Sequence, residues 1–335
     1  AKYEWFKLWF HKSRYDTKAP LSTFSVWGGD DSRFVTDRHI LGLTFEKMIF
    51  TGFDVRAQFE YDDYRFDDGT IYEDNPMAGE ASPPTGGSGR FLRKMAAVDR
   101  RYEWKLQASY VPTLELQALA GAELEYLDLV RWHFPEVWEA SGLESPDFTN
   151  VHVGTFIQAQ YSPFAMLAVT GGTRFDWDEI YGGVVSPRAG VVLRLPAGFH
   201  VKGLFGSAFK GPSFHDLFYF RKNAFYGSPE VDPEKSFTGE AEIGFAAAGW
   251  LRMNATFFYT LIQDLIGYSS HPRTEPLAGE DGFPESQRPE GTADQTYSQK
   301  TNKGDVTTMG VEGEVWLQPL DRVTLPVRSP DPGER

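Results

Sequence analysis

Phe53-Asp54-Val55-Arg56-Ala57-Gln58-Phe59-Glu60-Tyr61 alternates without a break, apolar at every odd position and polar at every even one. A period of two puts the two sets on opposite faces of a β-strand, whereas a helix of 3.6 residues per turn would scatter both around its axis. Aromatic rings close the apolar face at both ends, Phe53 at one and Tyr61 at the other.

The same pattern recurs outward from this stretch. Tyr102, Trp104, Leu106, Ala108 and Tyr110 share one face, and Glu103, Lys105, Gln107 and Ser109 the other. Alternation also runs from Leu114 to Tyr126, from Ser236 to Phe245, from Leu251 to Leu261 and from Met309 to Gln318, with weaker copies at 151–161, 164–177, 185–195 and 199–210. These runs are about 9 to 13 residues long; soluble strands average about 5 to 6, and a tilted membrane strand needs roughly 9 to 11.

Connection lengths point the same way. Tight links are expected at 49–52, 112–113, 162–163, 196–198, 247–249 and 318–321, and long ones between them at 65–98, 128–149, 178–184, 211–234 and 266–304. An outer-membrane barrel has short periplasmic turns at one rim and long extracellular loops at the other. The predicted fold is therefore all-β, an antiparallel transmembrane β-barrel with about 12 strands between residues 37 and 327 and two more near 1–14 and 21–28. A sheet that crosses lipid must close, because each unpaired backbone group there costs several kcal/mol. The remaining strands are thus expected outside the chain, with 1–327 a partial barrel, 328–335 a non-strand tail, and both ends cuts in a longer protein.

Composition agrees and excludes several classes. The 335 residues include 27 Phe, 15 Tyr, 9 Trp and 33 Gly, an aromatic and glycine excess that favours strands. Mean hydropathy is −0.40 and no run of 18 apolar residues exists, which excludes a helical span but not a barrel, whose strands show lipid only every second side chain. A net charge of −14 makes nucleic acid a poor partner. With no cysteine, disulfides and thiolate metal sites are impossible.

Motifs between residues 184 and 317 carry a family likeness. In order they are Ser186-Pro187-Arg188-Ala189-Gly190, Ala208-Phe209-Lys210-Gly211-Pro212-Ser213-Phe214-His215-Asp216-Leu217-Phe218, Gly227-Ser228-Pro229-Glu230-Val231-Asp232-Pro233-Glu234-Lys235-Ser236, Asn302-Lys303-Gly304 and Gly310-Val311-Glu312-Gly313-Glu314. This series resembles that of TonB-dependent outer-membrane receptors, with Lys210, Gly211, Ser228 and Val231 as departures from the family's usual residues. The resemblance implies a barrel of 22 strands, of which the chain would hold about 12–14, with a plugged lumen. It also implies residence in the bacterial outer membrane, surrounded by its lipid, and uptake of a scarce bulky nutrient, most commonly a ferric siderophore, with cobalamin and haem as other cargoes. Energy would come from the TonB complex through an N-terminal plug that this sequence does not show. No bond chemistry and no cofactor are implied. In this reading Pro212, Ser213, Pro229, Pro233, Glu234, Gly310 and Glu312 are structural. The alternative is a passive porin-like channel without TonB coupling.

Candidate ligand contacts are Tyr72 and Phe91 in the 65–98 connection, Trp132, His133 and Trp138 in the 128–149 connection, and His215. Aromatic rings among polar neighbours suit planar or catecholate ligands; the competing reading is that they are girdle or loop-packing residues. His215, His133 and His152 are scattered and make no metal site. Asp62, Asp63, Asp67 and Asp68 lack the spacing of a calcium loop and read as a solvated acidic loop. Glu240, Glu242, Glu312 and Glu314 follow from strand alternation toward the lumen rather than from paired-carboxylate chemistry. Ser213 and His215 lie in one short segment with no nucleophile elbow, so they form no triad.

Overall fold

The computed structural model describes residues 5–18, 33–74, 90–133, 148–221, 223–247, 249–279, 285 and 288–317. The strands are β1 (Phe6–Lys18), β2 (Arg33–Phe50), β3 (Phe53–Asp74), β4 (Arg90–Tyr110), β5 (Leu116–His133), β6 (Phe148–Phe164), β7 (Leu167–Asp178), β8 (Gly182–Arg194) and β9 (Phe199–Lys210). After a short helix α1 (Phe214–Phe218) come β10 (Phe220–Arg221), β11 (Phe225–Tyr226), β12 (Glu234–Ala247), β13 (Leu251–Gln263), β14 (Leu265–Pro272), β15 (Thr296–Lys303) and β16 (Val306–Leu317). Twelve of the strands form one antiparallel sheet in the order β1-β2-β3-β4-β5-β6-β7-β8-β9-β12-β13-β16. β10, β11, β15 and β14 form a separate four-stranded sheet.

The register keeps like faces together. Phe59 lies opposite Trp104, and Trp104 opposite Leu124, so the apolar side chains make continuous rows. On that side Leu106 is 54% exposed, Ile157 59% and Val311 73%. None of the described residues covers these side chains, and their row is the surface that lipid covers. The other face is polar and crowded: Glu103, Asp62 and Asp176 are buried there. It is the luminal face.

Aromatic rings frame the apolar band. At the short-turn rim Phe50 stacks on Phe53 with centroids 4.9 Å apart, and Tyr110 meets Phe53 edge-on. At the opposite interface Tyr61, Tyr102 and Tyr126 stand side by side, 5.0 and 6.1 Å apart. From Phe53 to Tyr61, at about 3.3 Å per residue and a tilt near 40°, the band is roughly 20 Å tall, close to the apolar band of outer-membrane barrels.

The short turns use residues suited to them. Between β8 and β9, Ala197 (φ 61°) and Gly198 (φ 84°) are both left-handed. A Cβ on Gly198 would run into the backbone carbonyl of Ala246, so only glycine fits. Pro187 sits inside β8, where pairing with β7 continues but pairing with β9 begins one residue later, at Arg188. A residue without an N–H is tolerated where one side of the strand is unpaired.

Several sequence expectations change. The connection expected at 65–98 is largely strand, since β3 runs on to Asp74 and β4 starts at Arg90. β5 likewise continues to His133. Asp62 and Asp63 therefore lie on β3 and are buried, not in a solvated loop. The β7–β8 link is only residues 179–181, so short and long connections do not alternate strictly. The expected strand near 1–14 is β1; the one near 21–28, and everything from 318 onward, lies outside the described residues.

Candidate functional site

The luminal wall of β2–β5 is a lattice of charge. The Arg38 Nε donates to Asp62 Oδ1 at 2.9 Å, and its Nη2 closes a second bond to the same carboxylate. Arg101 reaches Glu60 at 3.5 Å, Asp62 at 3.6 Å and Glu125 at 3.7 Å. Further round, the Arg174 Nε donates to Asp176 Oδ1 at 2.8 Å, and His152 Nε2 lies 3.1 Å from the same oxygen. The Asn150 amide donates to Asp178 at 2.9 Å. Buried carboxylates survive here because each is met by a cation or a donor. Gly154 makes room for one of these: a Cβ there would collide with the Arg174 guanidinium.

Beyond the Tyr61 row this wall borders a cavity of about 660 Å³. Arg38, Asp62, Tyr64, Asp99, Arg101 and Glu125 give it a charged floor, Leu127 and Leu129 an apolar side, and Ser213, Phe214 and His215 of the β9–β12 link form the facing side. The α1 segment is carried across to this position by aromatic packing. Phe148 at the start of β6 contacts Phe214 and Phe218, with centroids 4.9 and 5.5 Å away.

Local chemistry dictates α1. Ser213 Oγ accepts from the Asp216 N–H at 3.2 Å, while the Asp216 carboxylate accepts from the Ser213 N–H at 3.0 Å and from its hydroxyl at 2.6 Å, a reciprocal cap. The hydroxyl of Ser213 is thus committed to the cap. Pro212 and Leu217 are buried, and Asp216 pairs with Lys300 of β15 at 2.8 Å. Lys300 and the cap hold the Asp216 carboxyl at a pKa of about 2, against the opposing effect of burial. His215 stacks on Tyr219 at 4.3 Å, and desolvation lowers its pKa.

The second sheet braces α1 from behind. The Ser228 N–H donates to the Asp216 carbonyl at 2.9 Å, and the buried Gln299 amide donates to the carbonyls of Gly227 at 3.1 Å and Ala278 at 2.7 Å. Asn302 accepts from the Asp232 N–H and donates to the carbonyls of Asp232 and Asp264 at 2.9 and 2.7 Å. Pro233 is buried beside this clasp, and Glu234 Oε1 accepts from the Ile266 N–H at 2.9 Å. Gly310 packs under the Phe258 ring on the luminal face, while Glu312 is exposed opposite Thr256. Pro229 is half-buried, against the Gly279 turn.

Of the candidate ligand contacts, the structure brings His215 to the cavity. Tyr72 and Phe91 lie on the β3–β4 extension, opposite Leu92 and Glu73, and Trp132 and His133 lie opposite Ala97 and Ala96 on β5. Trp138 is outside the described residues. Lining residues that the sequence reading did not assign to a site include Arg38, Asp99, Arg101, Glu125, Leu127 and Leu129. Among the described residues no group of three or more His, Cys, Asp or Glu is arranged to hold a metal ion.

A lipid-facing apolar band between two aromatic girdles, a charged lumen and a long-loop rim that carries the cavity define the wall of a bacterial outer-membrane β-barrel. Residues 4–327 match the family model described as TonB dependent receptor-like, beta-barrel, and the chain belongs to that family. It is 25% identical over 182 residues to the iron-regulated outer membrane virulence protein of Vibrio cholerae serotype O1, a match covering 53% of this chain and 26% of that protein. Solved structures share the fold, among them two receptors. The ferric enterobactin receptor PfeA of Pseudomonas aeruginosa superposes with a TM-score of 0.68 at 14% identity, over 96% of this chain and 48% of its own. The hemophore receptor HasR of Serratia marcescens gives 0.63 at 13% identity, over 92% and 49%. The chain thus spans about half the length of these receptors.

Proposed function

We propose that the protein containing this wall takes up a bulky iron chelate across the outer membrane, driven by the TonB complex through a plug domain. The observation that carries the reading is the cavity at the long-loop end of the lumen. It is roofed by α1 and floored by Arg38 and Arg101 among Asp62, Asp99 and Glu125. Guanidiniums at a half-desolvated site bind anionic oxygens of a chelate by charge-assisted hydrogen bonds, while Phe214, Leu127 and Leu129 supply apolar contact for its organic shell. The strand extensions that carry Tyr72, Phe91, Trp132 and His133 stand beyond the same rim, where arriving ligand passes first.

The test is uptake of radiolabelled iron, presented as single chelates, by cells that lack or carry the full-length gene. The reading expects gene-dependent accumulation under iron limitation, abolished by deletion of tonB. Uptake that persists without TonB, or open-pore conductance of the purified protein in planar bilayers, would replace it with a passive channel.

A further inference from the structure

Two luminal rows meet at the cavity, running strand to strand across β2–β5. The lower is Ile40–Asp62–Arg101–Leu127 and the upper is Arg38–Tyr64–Asp99–Leu129. Asp62 is well matched: Arg38 reaches it from the upper row and Arg101 from its own. Arg101 also reaches Glu60 and Glu125. Asp99 has no such company. It is half-buried on the cavity lining, yet it makes no hydrogen bond and no ion pair among the described residues. The two guanidiniums whose field it feels, those of Arg101 and Arg38, are engaged by other carboxylates. Burial and the neighbouring Asp62 charge push its pKa up to about 6, as befits a carboxylate with no counter-ion at hand.

The charge balance of the described lining points to the same residue. Three carboxylates, Asp62, Asp99 and Glu125, oppose two guanidiniums, Arg38 and Arg101, which leaves one negative charge in excess. Desolvation lowers the pKa of His215, so it adds no positive charge at neutral pH. A half-buried excess charge is costly, and a bound cation removes that cost. A polyanionic chelate would meet repulsion at Asp99, whereas a near-neutral chelate with a pendant ammonium would meet attraction.

We propose that Asp99 is a specificity-determining residue, selecting iron chelates that carry a pendant alkylammonium by making with it the ion pair that the protein itself leaves unmade. Arg38 and Arg101 then face the iron-bearing oxygens, and Leu127 and Leu129 face the organic shell. The inference rests on the uptake reading and narrows its cargo from any bulky iron chelate to one with a cationic arm.

Three probes test it against the full-length protein in detergent, by quenching of intrinsic fluorescence. They are a ferric trihydroxamate with a free terminal ammonium, the same chelate N-acetylated, and a ferric tris-catecholate. The wild-type protein should bind the ammonium form about tenfold more tightly than the acetylated one, as a single charge-assisted hydrogen bond would give, and the tris-catecholate most weakly. Asp99→Asn, nearly isosteric, should remove the preference by weakening the ammonium form alone. Asp99→Glu should restore part of it. Equal binding of the ammonium and acetylated forms by the wild-type protein overturns the inference without recourse to any variant, and so does tighter binding of the tris-catecholate; the uptake reading survives either result, since a chelate is still bound. An Asp99→Asn variant that keeps the full preference overturns the inference too. Failure to bind the ammonium form at all also overturns it, and gene-dependent iron accumulation by cells then decides separately whether the uptake reading falls with it.

Discussion

Asp62 and Asp63 are consecutive on β3, yet one faces the lumen and the other the membrane side, and consecutive Arg101 and Arg100 of β4 attend one each, both at 3.6 Å. Each carboxylate has a second arginine, Arg38 on the luminal side and Arg65 on the outer side. The wall here is one residue thick, and both its faces are charged. That is affordable only where neither face touches hydrocarbon, so the pair marks the height at which the barrel leaves the bilayer.

Below that height a charge on the outer face is costly and on the inner face is not. Leu106→Arg puts a guanidinium into lipid near the middle of the apolar band and should destabilise the full-length protein by about 2–4 kcal/mol. Gln107→Arg, one residue on and facing the lumen, should change stability by less than about 1 kcal/mol. Reversible denaturant unfolding in lipid vesicles measures both. Equal penalties at the two positions would mean that the faces are assigned the wrong way round.

The same boundary explains what the sequence disclosed. Alternation was legible from Phe53 to Tyr61 because lipid on one side and water on the other force it. Past Tyr61 both sides are polar, the pattern stops, and a strand that continues to Asp74 reads as loop. On β5 the order inverts instead, with Leu127 and Leu129 on the luminal side and Asp128 on the outer one, so the strand no longer reads as apolar-out and polar-in. The cavity was less legible still, because it depends on cross-strand register and on α1 folding back to Phe148, and neither is a local signal. One local signal was present and unused: Ser213 and Asp216, three apart after Pro212, have the spacing of a helix cap.

Arg101 offers the most direct probe of the cavity. It contacts three luminal carboxylates loosely, at 3.5 to 3.7 Å, so it can turn toward a ligand without breaking a short hydrogen bond. If the proposed uptake function holds, Arg101→Ser should weaken binding of the iron chelate by about 10- to 100-fold, the loss expected for one charge-assisted hydrogen bond of 1.5–3 kcal/mol. Binding to whole cells, normalised to surface-exposed receptor, reads this. Unchanged affinity would remove the cavity floor from the ligand site.

Gly154 should tolerate no side chain. Gly154→Val would push the Arg174 guanidinium off Asp176, leaving a carboxylate that is 2% exposed without its main cation. Overpacking alone is worth about 1–3 kcal/mol, and the stranded charge adds to it. The combined loss should appear as a lower unfolding midpoint. Gly171, on the lipid-side face with open space where a Cβ would go, should accept alanine with little change.

Asp216 couples α1 to the second sheet through Lys300, and pH should reveal how strongly. Its folded pKa of about 2 lies below the ordinary 3.8, so folding favours the charged form. The stabilisation is complete above about pH 4 and is lost as pH falls through about 2, an effect of roughly 2 kcal/mol at neutral pH. Asp216→Asn should therefore speed amide exchange across 213–228 by about 30-fold at pH 7, since it strands Lys300, whose side chain is only 14% exposed. Near pH 2 the wild-type carboxyl is about half protonated and most of that stabilisation is gone, so the two proteins should exchange at similar rates. A variant that exchanges like the wild type at pH 7 would show that the aromatic contacts of Phe214 and Phe218 with Phe148, rather than the ion pair, hold the roof of the cavity in place.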